Sequence, residues 1–230
     1  MSVKEISVVL VHGAWADGSS WSKVISPLAA RGVNVIAAPI PLTALHDDVA
    51  AVDRTLDRIN GSVVLAGHAY AGAVIGATRH PAVKSLVYVA ALAPAEGETV
   101  ADVFYRGTPD PYAPKLAPER DGWIWLPKSA FATAFAPNAT AEEQAVMAAT
   151  QRPISAACIS VKVGSPLWKD VPTWYLLSEK DRMIVRDNQQ FMAERMGAKV
   201  RSIDSDHTPS VTAPDEVVRT ILAAVEAVAS

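Results

Sequence analysis

The chain has 230 residues, with a hydrophobic content of 50%, a charged content of 20% and a net charge of −3. That is enough for one substantial core, and the charge balance gives no reason to expect nucleic acid or an anionic membrane as a partner. The single cysteine, Cys158, has no partner for an internal disulfide, no apolar stretch reaches about 18 residues without charges, and Met1 to Leu10 runs almost directly into a strand without an export leader, so one cytoplasmic domain over residues 1–230 is expected.

Ile6-Ser7-Val8-Val9-Leu10-Val11 reads as a strand ending at His12-Gly13. After a loop over Ala14 to Gly18, Ser19-Ser20 is the expected N-cap of a helix to about Ala30, closed by Arg31-Gly32. Val33 to Ala38 is a second strand. Asp47-Asp48 opens a helix with Val49, Val52, Leu56 and Ile59 at helical spacing, its acidic first turn matched to the helix dipole. Ser62-Val63-Val64-Leu65-Ala66 is a third strand. It leads into Gly67-His68-Ala69-Tyr70-Ala71-Gly72 and then a small-residue helix through Thr78. Strand, sharp turn and helix form the setting of the nucleophile elbow, G-x-S-x-G. Small residues at 67 and 71 suit the turn, but the tip, where serine is expected, is Ala69.

Ser85 to Ala90 is the fourth strand. The alternation then breaks over residues 97–170, a stretch rich in proline that also holds Trp123, Trp125, Trp168 and a helical piece from Thr140 to Thr150. This reads as a cap inserted within the domain over the carboxyl edge of the sheet. The core pattern resumes with a strand over Thr173 to Leu177, a helix from Arg186 to Met196, a strand from Lys199 to Ile203 and a closing helix from Asp215 to Val228, started by Pro214. The fold class is α/β, a mostly parallel sheet of about six strands with helices on both faces and an inserted cap.

Ligands in such sheets sit at the carboxyl ends of the strands. Three loops there carry candidate groups: the elbow with position 69, Ser178-Glu179-Lys180-Asp181, and Asp204-Ser205-Asp206-His207. The order nucleophile, acid, histidine is that of the α/β-hydrolase fold. A serine hydroxyl needs an imidazole to take its proton, and the imidazole needs a carboxylate to fix its tautomer. His207 is the expected base and Asp181 the expected orienting acid. A lone loop aspartate is ordinarily a turn former and a lone histidine a surface group, but their order after core strands favours the catalytic reading. Asp206 is disfavoured because it adjoins His207 and seldom reaches the far ring nitrogen. The N–H groups of Ala14 and Tyr70 are the expected oxyanion donors. Trp15, Trp123, Trp125 and Trp168 are candidates to line the substrate pocket. His12 and His68 are assigned to loop geometry, and His46 and His80 to solvent-facing helix edges. No metal-ligand spacing occurs, and no cofactor is expected. The partner is a small-molecule ester, and the composition is compatible with a homodimer.

Val9-Leu10-Val11-His12-Gly13-Ala14-Trp15, then Gly67-His68-x-Tyr70-x-Gly72, then Asp181 and His207, resemble the small α/β-hydrolases that group bacterial carboxylesterases with plant methylesterases and hydroxynitrile lyases. The resemblance covers nearly the whole core and implies a cofactor-free serine esterase acting on a small, largely apolar ester. The chain departs from that pattern at Ala69, and mildly at Ala71, where glycine is usual. The lyase branch typically has Thr where this chain has Gly13 and Lys where it has Thr208, which points to the esterase side. Two explanations of Ala69 stay open: a serine replaced by alanine in an otherwise intact site, leaving an inactive variant, or a natural ligand binder without catalysis.

Overall fold

A computed structural model describes residues 5–230; residues 1–4, where the expected leaderless start begins, lie outside the described residues. The chain starts with β1 (Ile6–Val11), a 3-10 turn over Gly18–Trp21, α1 (Ser22–Ala30), β2 (Asn34–Ala38) and α2 (Leu45–Leu56). Then come β3 (Ser62–His68), α3 (Ala71–Ala77) and β4 (Val83–Val89). The segment after β4 carries α4 (Val100–Phe104), β5 (Trp123–Ile124), a π-helical turn over Phe131–Phe135, α5 (Ala141–Thr150), β6 (Ile154–Ser155) and α6 (Ala157–Ser160). The core returns with β7 (Thr173–Ser178), α7 (Arg186–Arg195), β8 (Lys199–Ile203), α8 (Pro209–Thr212) and α9 (Pro214–Ala229).

Six strands form one sheet in the order β2-β1-β3-β4-β7-β8, every neighbouring pair parallel. The strands alternate their side chains between two cores. Val8 and Leu10 of β1, Val64 of β3 and Val87 of β4 point to a layer closed by α1 through Val24 and Leu28 and by α9 through Val217, Ile221 and Val225. Val9, Val11, Leu65 and Tyr88 point the other way, into a core shared with α2, α3, α7 and the cap segment. Both faces are therefore covered, as an all-parallel sheet requires. The edge strand β8 is mostly exposed and carries Lys199 and Arg201, charges that discourage edge-to-edge pairing. β5 and β6 pair antiparallel within the cap segment.

Local expectations differ from the structure in three places. The segment expected as one helix capped by Ser19-Ser20 begins as the 3-10 turn, capped by Asp17, whose Oδ1 accepts from Ser19 N at 2.8 Å, and α1 itself starts at Ser22 without a side-chain cap. Asp17 stands just before the 3-10 turn, where its carboxylate can accept from a free N–H of the first residues, whereas Ser19 and Ser20 already lie inside the turn. α2 begins at Leu45 and ends at Leu56, so Ile59 packs beyond the helix end. Asp47 and Asp48 lie in its first turn as expected, with Asp48 fully buried. His80 is only 17% exposed at its side chain, because its ring contacts Asp57 and the N–H of Ala82. His46, by contrast, is 84% exposed. The helix at 140–150 is as expected, with a reciprocal capping box between Thr140 and Glu143.

Candidate active site

The elbow is built from steric necessity. β3 runs straight into Ala69, which takes φ +51°, and Tyr70 then starts α3 in right-handed conformation. A left-handed alanine is strained by about 1–2 kcal/mol. The surrounding backbone holds it there: Ala69 O accepts from Gly72 N at 3.1 Å and from Leu92 N at 2.9 Å, and Ala69 N donates to Val89 O at 3.3 Å. Gly72 has no alternative residue type, since a Cβ there would lie 2.3 Å from Leu92 O. A Cβ on Gly67 would lie 2.9 Å from Ala71 O, which is the close packing a tight strand-to-helix turn needs. Ala69 thus presents its methyl group to a cleft at the carboxyl edge of the sheet.

β7 and β8 deliver a carboxylate and an imidazole to the same cleft edge. His207 Nδ1 lies 2.8 Å from Asp181 Oδ2, with the two side chains 2% and 0% exposed. A carboxylate only accepts, so Nδ1 carries the proton and Nε2 is left as a base. Asp181 is held by three further donors: Met183 N and Ile184 N on Oδ1 at 2.8 and 2.9 Å, and Gln189 Nε2 on Oδ2 at 2.9 Å. His207 is held through its backbone, because His68 Nε2 donates to its carbonyl at 2.6 Å. Burial, followed by the neighbouring His207, pushes the His68 ring down to about 3, so His68 stays neutral. Asp206 turns away from the imidazole ring. Its Oδ1 accepts from Thr208 N and from Thr212 Oγ1, and its Oδ2 from Asn138 N at 2.9 Å, which ties the histidine loop to the cap segment.

The opposite wall comes from the loop after β1. Among the described residues, neither Ala14 N nor Tyr70 N has a hydrogen-bond partner, and both residues line the cleft. Gly13 lets this loop approach the elbow: a Cβ there would lie 2.9 Å from His68 O and 3.0 Å from Ala69 Cβ. Trp15, at φ +58°, is anchored to the cap at both ends of the residue. Its backbone N donates to Arg152 O and its Nε1 to Ile124 O, each at 2.9 Å. The cleft has an empty volume of about 580 Å³, counting its open mouth, and apart from His207 its walls are predominantly apolar.

Of the four expected pocket tryptophans, only Trp15 lines this cleft. Trp125 is 45% exposed at the surface, and Trp168 packs behind α3 beside Gly76. Trp123 sits on the cap hairpin, where the inward residue of β5 is Ile124. The aromatic side chains that do line the cleft are Phe104 and Tyr105 from α4 and its end, together with Tyr70.

A buried cluster under the elbow escaped sequence reasoning. Asp48 accepts from Leu42 N and from Tyr70 Oη, each at 2.7 Å, and from Cys158 Sγ at 3.6 Å. Burial raises Asp48 and pushes the Cys158 thiol up to about 12, so the thiol is inert. Only the three-dimensional meeting of α2, the elbow and α6 reveals this contact. No group of three or more metal-binding side chains occurs among the described residues, and no helix among them is long and apolar enough to cross a membrane.

A base with its orienting carboxylate, two free N–H donors and a strained elbow tip meeting at one apolar cleft can stabilise a developing oxyanion and move a proton beside it. Known proteins share this fold. Solved structures with the same fold include a polyneuridine aldehyde esterase variant at 18% identity, with a TM-score of 0.82 over 95% of this chain and 98% of that one. A pyrethroid hydrolase from Sphingobium faniae matches at 22% identity, with a TM-score of 0.82 over 96% of this chain and 98% of the other. A methylesterase from Arabidopsis matches at 18% identity, with a TM-score of 0.77 over 96% and 99%. No curated protein is similar enough to this chain to count as a match. The family model described as the alpha/beta hydrolase family matches residues 8–220, and the chain belongs to that family.

Proposed function

We propose that this cleft serves the hydrolysis of small, largely apolar carboxylic esters by a serine mechanism, and that the chain with Ala69 binds such esters without forming an acyl-enzyme. The observation that carries this reading is the Asp181–His207 pair at 2.8 Å, buried at the edge of the cleft that Ala69, Ala14 and Tyr70 also line. With serine at position 69, His207 Nε2 takes the hydroxyl proton as the oxygen attacks the ester carbonyl. Asp181 holds the ring and stabilises the imidazolium. The N–H groups of Ala14 and Tyr70 meet the oxyanion, and His207 returns the proton to the leaving alcohol. Water then releases the acid by the same steps. The predominantly apolar walls favour uncharged acyl and alcohol groups. Esterase and hydrolase names among the structural matches, including a serine-to-alanine variant of the pyrethroid hydrolase, support this reading.

The test is Ala69→Ser, assayed on p-nitrophenyl acetate and butyrate with the fold checked by circular dichroism. Hydrolysis well above that of the chain as it stands is expected. A folded Ala69→Ser protein that gains nothing across a broad ester panel refutes the esterase reading. The second reading, a natural binder, is favoured by one observation: the strained elbow is fully built around an alanine, without disturbance of its supporting hydrogen bonds.

A further inference from the structure

Gln189 lies on α7, is 0% exposed and has no part in the mechanism above. Its amide is fully used. Oε1 accepts from Ser178 N at 3.1 Å, and Nε2 donates to Ile184 O at 2.7 Å and to Asp181 Oδ2 at 2.9 Å. That Asp181 oxygen is the one that also receives His207 Nδ1–H. Two donors therefore share Oδ2, while Met183 N and Ile184 N occupy Oδ1. With both oxygens pinned, the carboxylate has one orientation relative to the imidazole.

We propose that Gln189 is a positioning residue for the Asp181–His207 pair, holding Oδ2 in line with the ring and drawing part of its negative charge away from His207. The functional meaning rests on the esterase reading; the electrostatic claim does not. A hydrogen bond to one oxygen competes with every other use of that oxygen's charge. Without the Gln189 donor, Oδ2 stabilises the imidazolium more strongly but is less firmly aimed. The other titratable groups around the pair are His68 of β3, neutral with its ring centroid 4.8 Å from that of His207, Tyr175 of β7, kept protonated by burial and donating to Ala91 O, and Asp206, engaged with Thr208, Thr212 and Asn138. None of them is hydrogen-bonded to Gln189.

The adjacent residue on the same helix supplies the control. Asn188 is 2% exposed, and its Nδ2 donates to Val103 O and Phe104 O at the end of α4, so it supports the cleft wall and makes no contact with Asp181. The experiment is an NMR titration of the His207 ring in the chain as it stands, with Ala69 in place, compared with Gln189→Met, Gln189→Leu and Asn188→Ala. The His207 midpoint should rise by about half a unit or more in Gln189→Met and in Gln189→Leu, neither of which can donate to Oδ2. Asn188→Ala should leave it in place. In the Ala69→Ser background, Gln189→Met should lower kcat by about tenfold with KM little changed, the signature of lost positioning. An unmoved midpoint in the folded Gln189 variants overturns the proposal, and so does an equal shift in Asn188→Ala. An inactive Ala69→Ser protein counts against the esterase reading and leaves the titration result standing.

Discussion

The two halves of the cleft are held in different ways. On the core side, the Asp181–His207 pair has a dense set of partners: Asp181 receives four hydrogen bonds, and the backbone of His207 is fixed by a neutral, buried His68. On the cap side, the wall of the cleft is apolar, and the bonds that join the segment to the core lie around the cleft: Trp15 with Arg152 and Ile124, Ser155 with Leu42, Asn188 with Phe104, Arg182 with Thr133 and Asn138 with Asp206. The difference separates two tasks. Orientation of a proton-transfer pair needs fixed directions, which hydrogen bonds on strand ends supply. Acceptance of an apolar group needs volume and little direction, which apolar side chains of the cap segment supply. Changes on the core side should therefore act on turnover, and changes on the cap side on binding.

The largest effects should come from the core side in the Ala69→Ser background. His207→Ala there should return activity close to that of the unaltered chain, a loss of about 10⁴-fold or more if serine is restored, because the members of such a set act as a unit. Asp181→Asn should leave a measurable remnant, since Oδ1 can still be held by Met183 and Ile184. Steady-state hydrolysis of p-nitrophenyl butyrate by the single and double variants reads both. Equal residual rates for His207→Ala and the Ala69→Ser parent would remove His207 from the mechanism.

A second test asks whether the core side is set for esters or for cyanohydrin cleavage. The space at position 13 argues for esters: a threonine side chain there would meet His68 O and Ala69 Cβ within about 3 Å, as judged from the 2.9 and 3.0 Å contacts of a bare Cβ. Adding mandelonitrile to Ala69→Ser should release benzaldehyde no faster than buffer does. A clear acceleration would overturn the esterase assignment.

The same division decides how much was legible beforehand. The strands, the elbow at 67–72 and the order Asp181 then His207 stand out because strand periodicity and turn chemistry are local. Of the four tryptophans, Trp123, Trp125 and Trp168 fall outside the cleft lining, because tryptophan content says nothing about facing. In the cap hairpin Ile124, and not Trp123 or Trp125, points into the cleft. Gln189 and Asp48 were invisible for a related reason. Each is an ordinary helix residue whose role arises only where α7 meets the loop after β7, or α2 meets the elbow.

The support beneath His207 should also appear as acid sensitivity of the fold. The His68 ring is lowered from 6.5 to about 3 when folded, so the unfolded chain binds a proton there that the native chain does not. Stability from this group is therefore complete above about pH 6.5 and is lost as pH falls toward 3, at up to about 1.4 kcal/mol per pH unit within that window. Urea unfolding at pH 7 and pH 4.5 should give a smaller difference for His68→Gln than for the unaltered chain. An identical difference would mean that His68 is not held neutral by the fold.

The smallest effect should come from the tryptophans at and around the cap and sharpens the comparison from its other side. Trp15 lines the cleft and packs edge-on against Phe135 with ring centroids 6.3 Å apart, so a bound ester touches an indole whose surroundings are otherwise fixed. Trp125 is 45% exposed and Trp168 lies behind α3. Titrating the chain as it stands with short aryl esters should give a saturable change in fluorescence. Trp125→Phe and Trp168→Phe should each leave the amplitude and midpoint nearly unchanged, because neither indole touches the ligand. Trp15→Phe should remove most of the amplitude. It should weaken binding by about tenfold at most, since a buried ring is replaced by a smaller ring and the lost Nε1–H contact to Ile124 O frees one carbonyl at the cap hairpin. If the signal instead disappears with Trp125 or Trp168, the ester sits outside the cleft, and the separation of a directed core side from an apolar cap side fails with it.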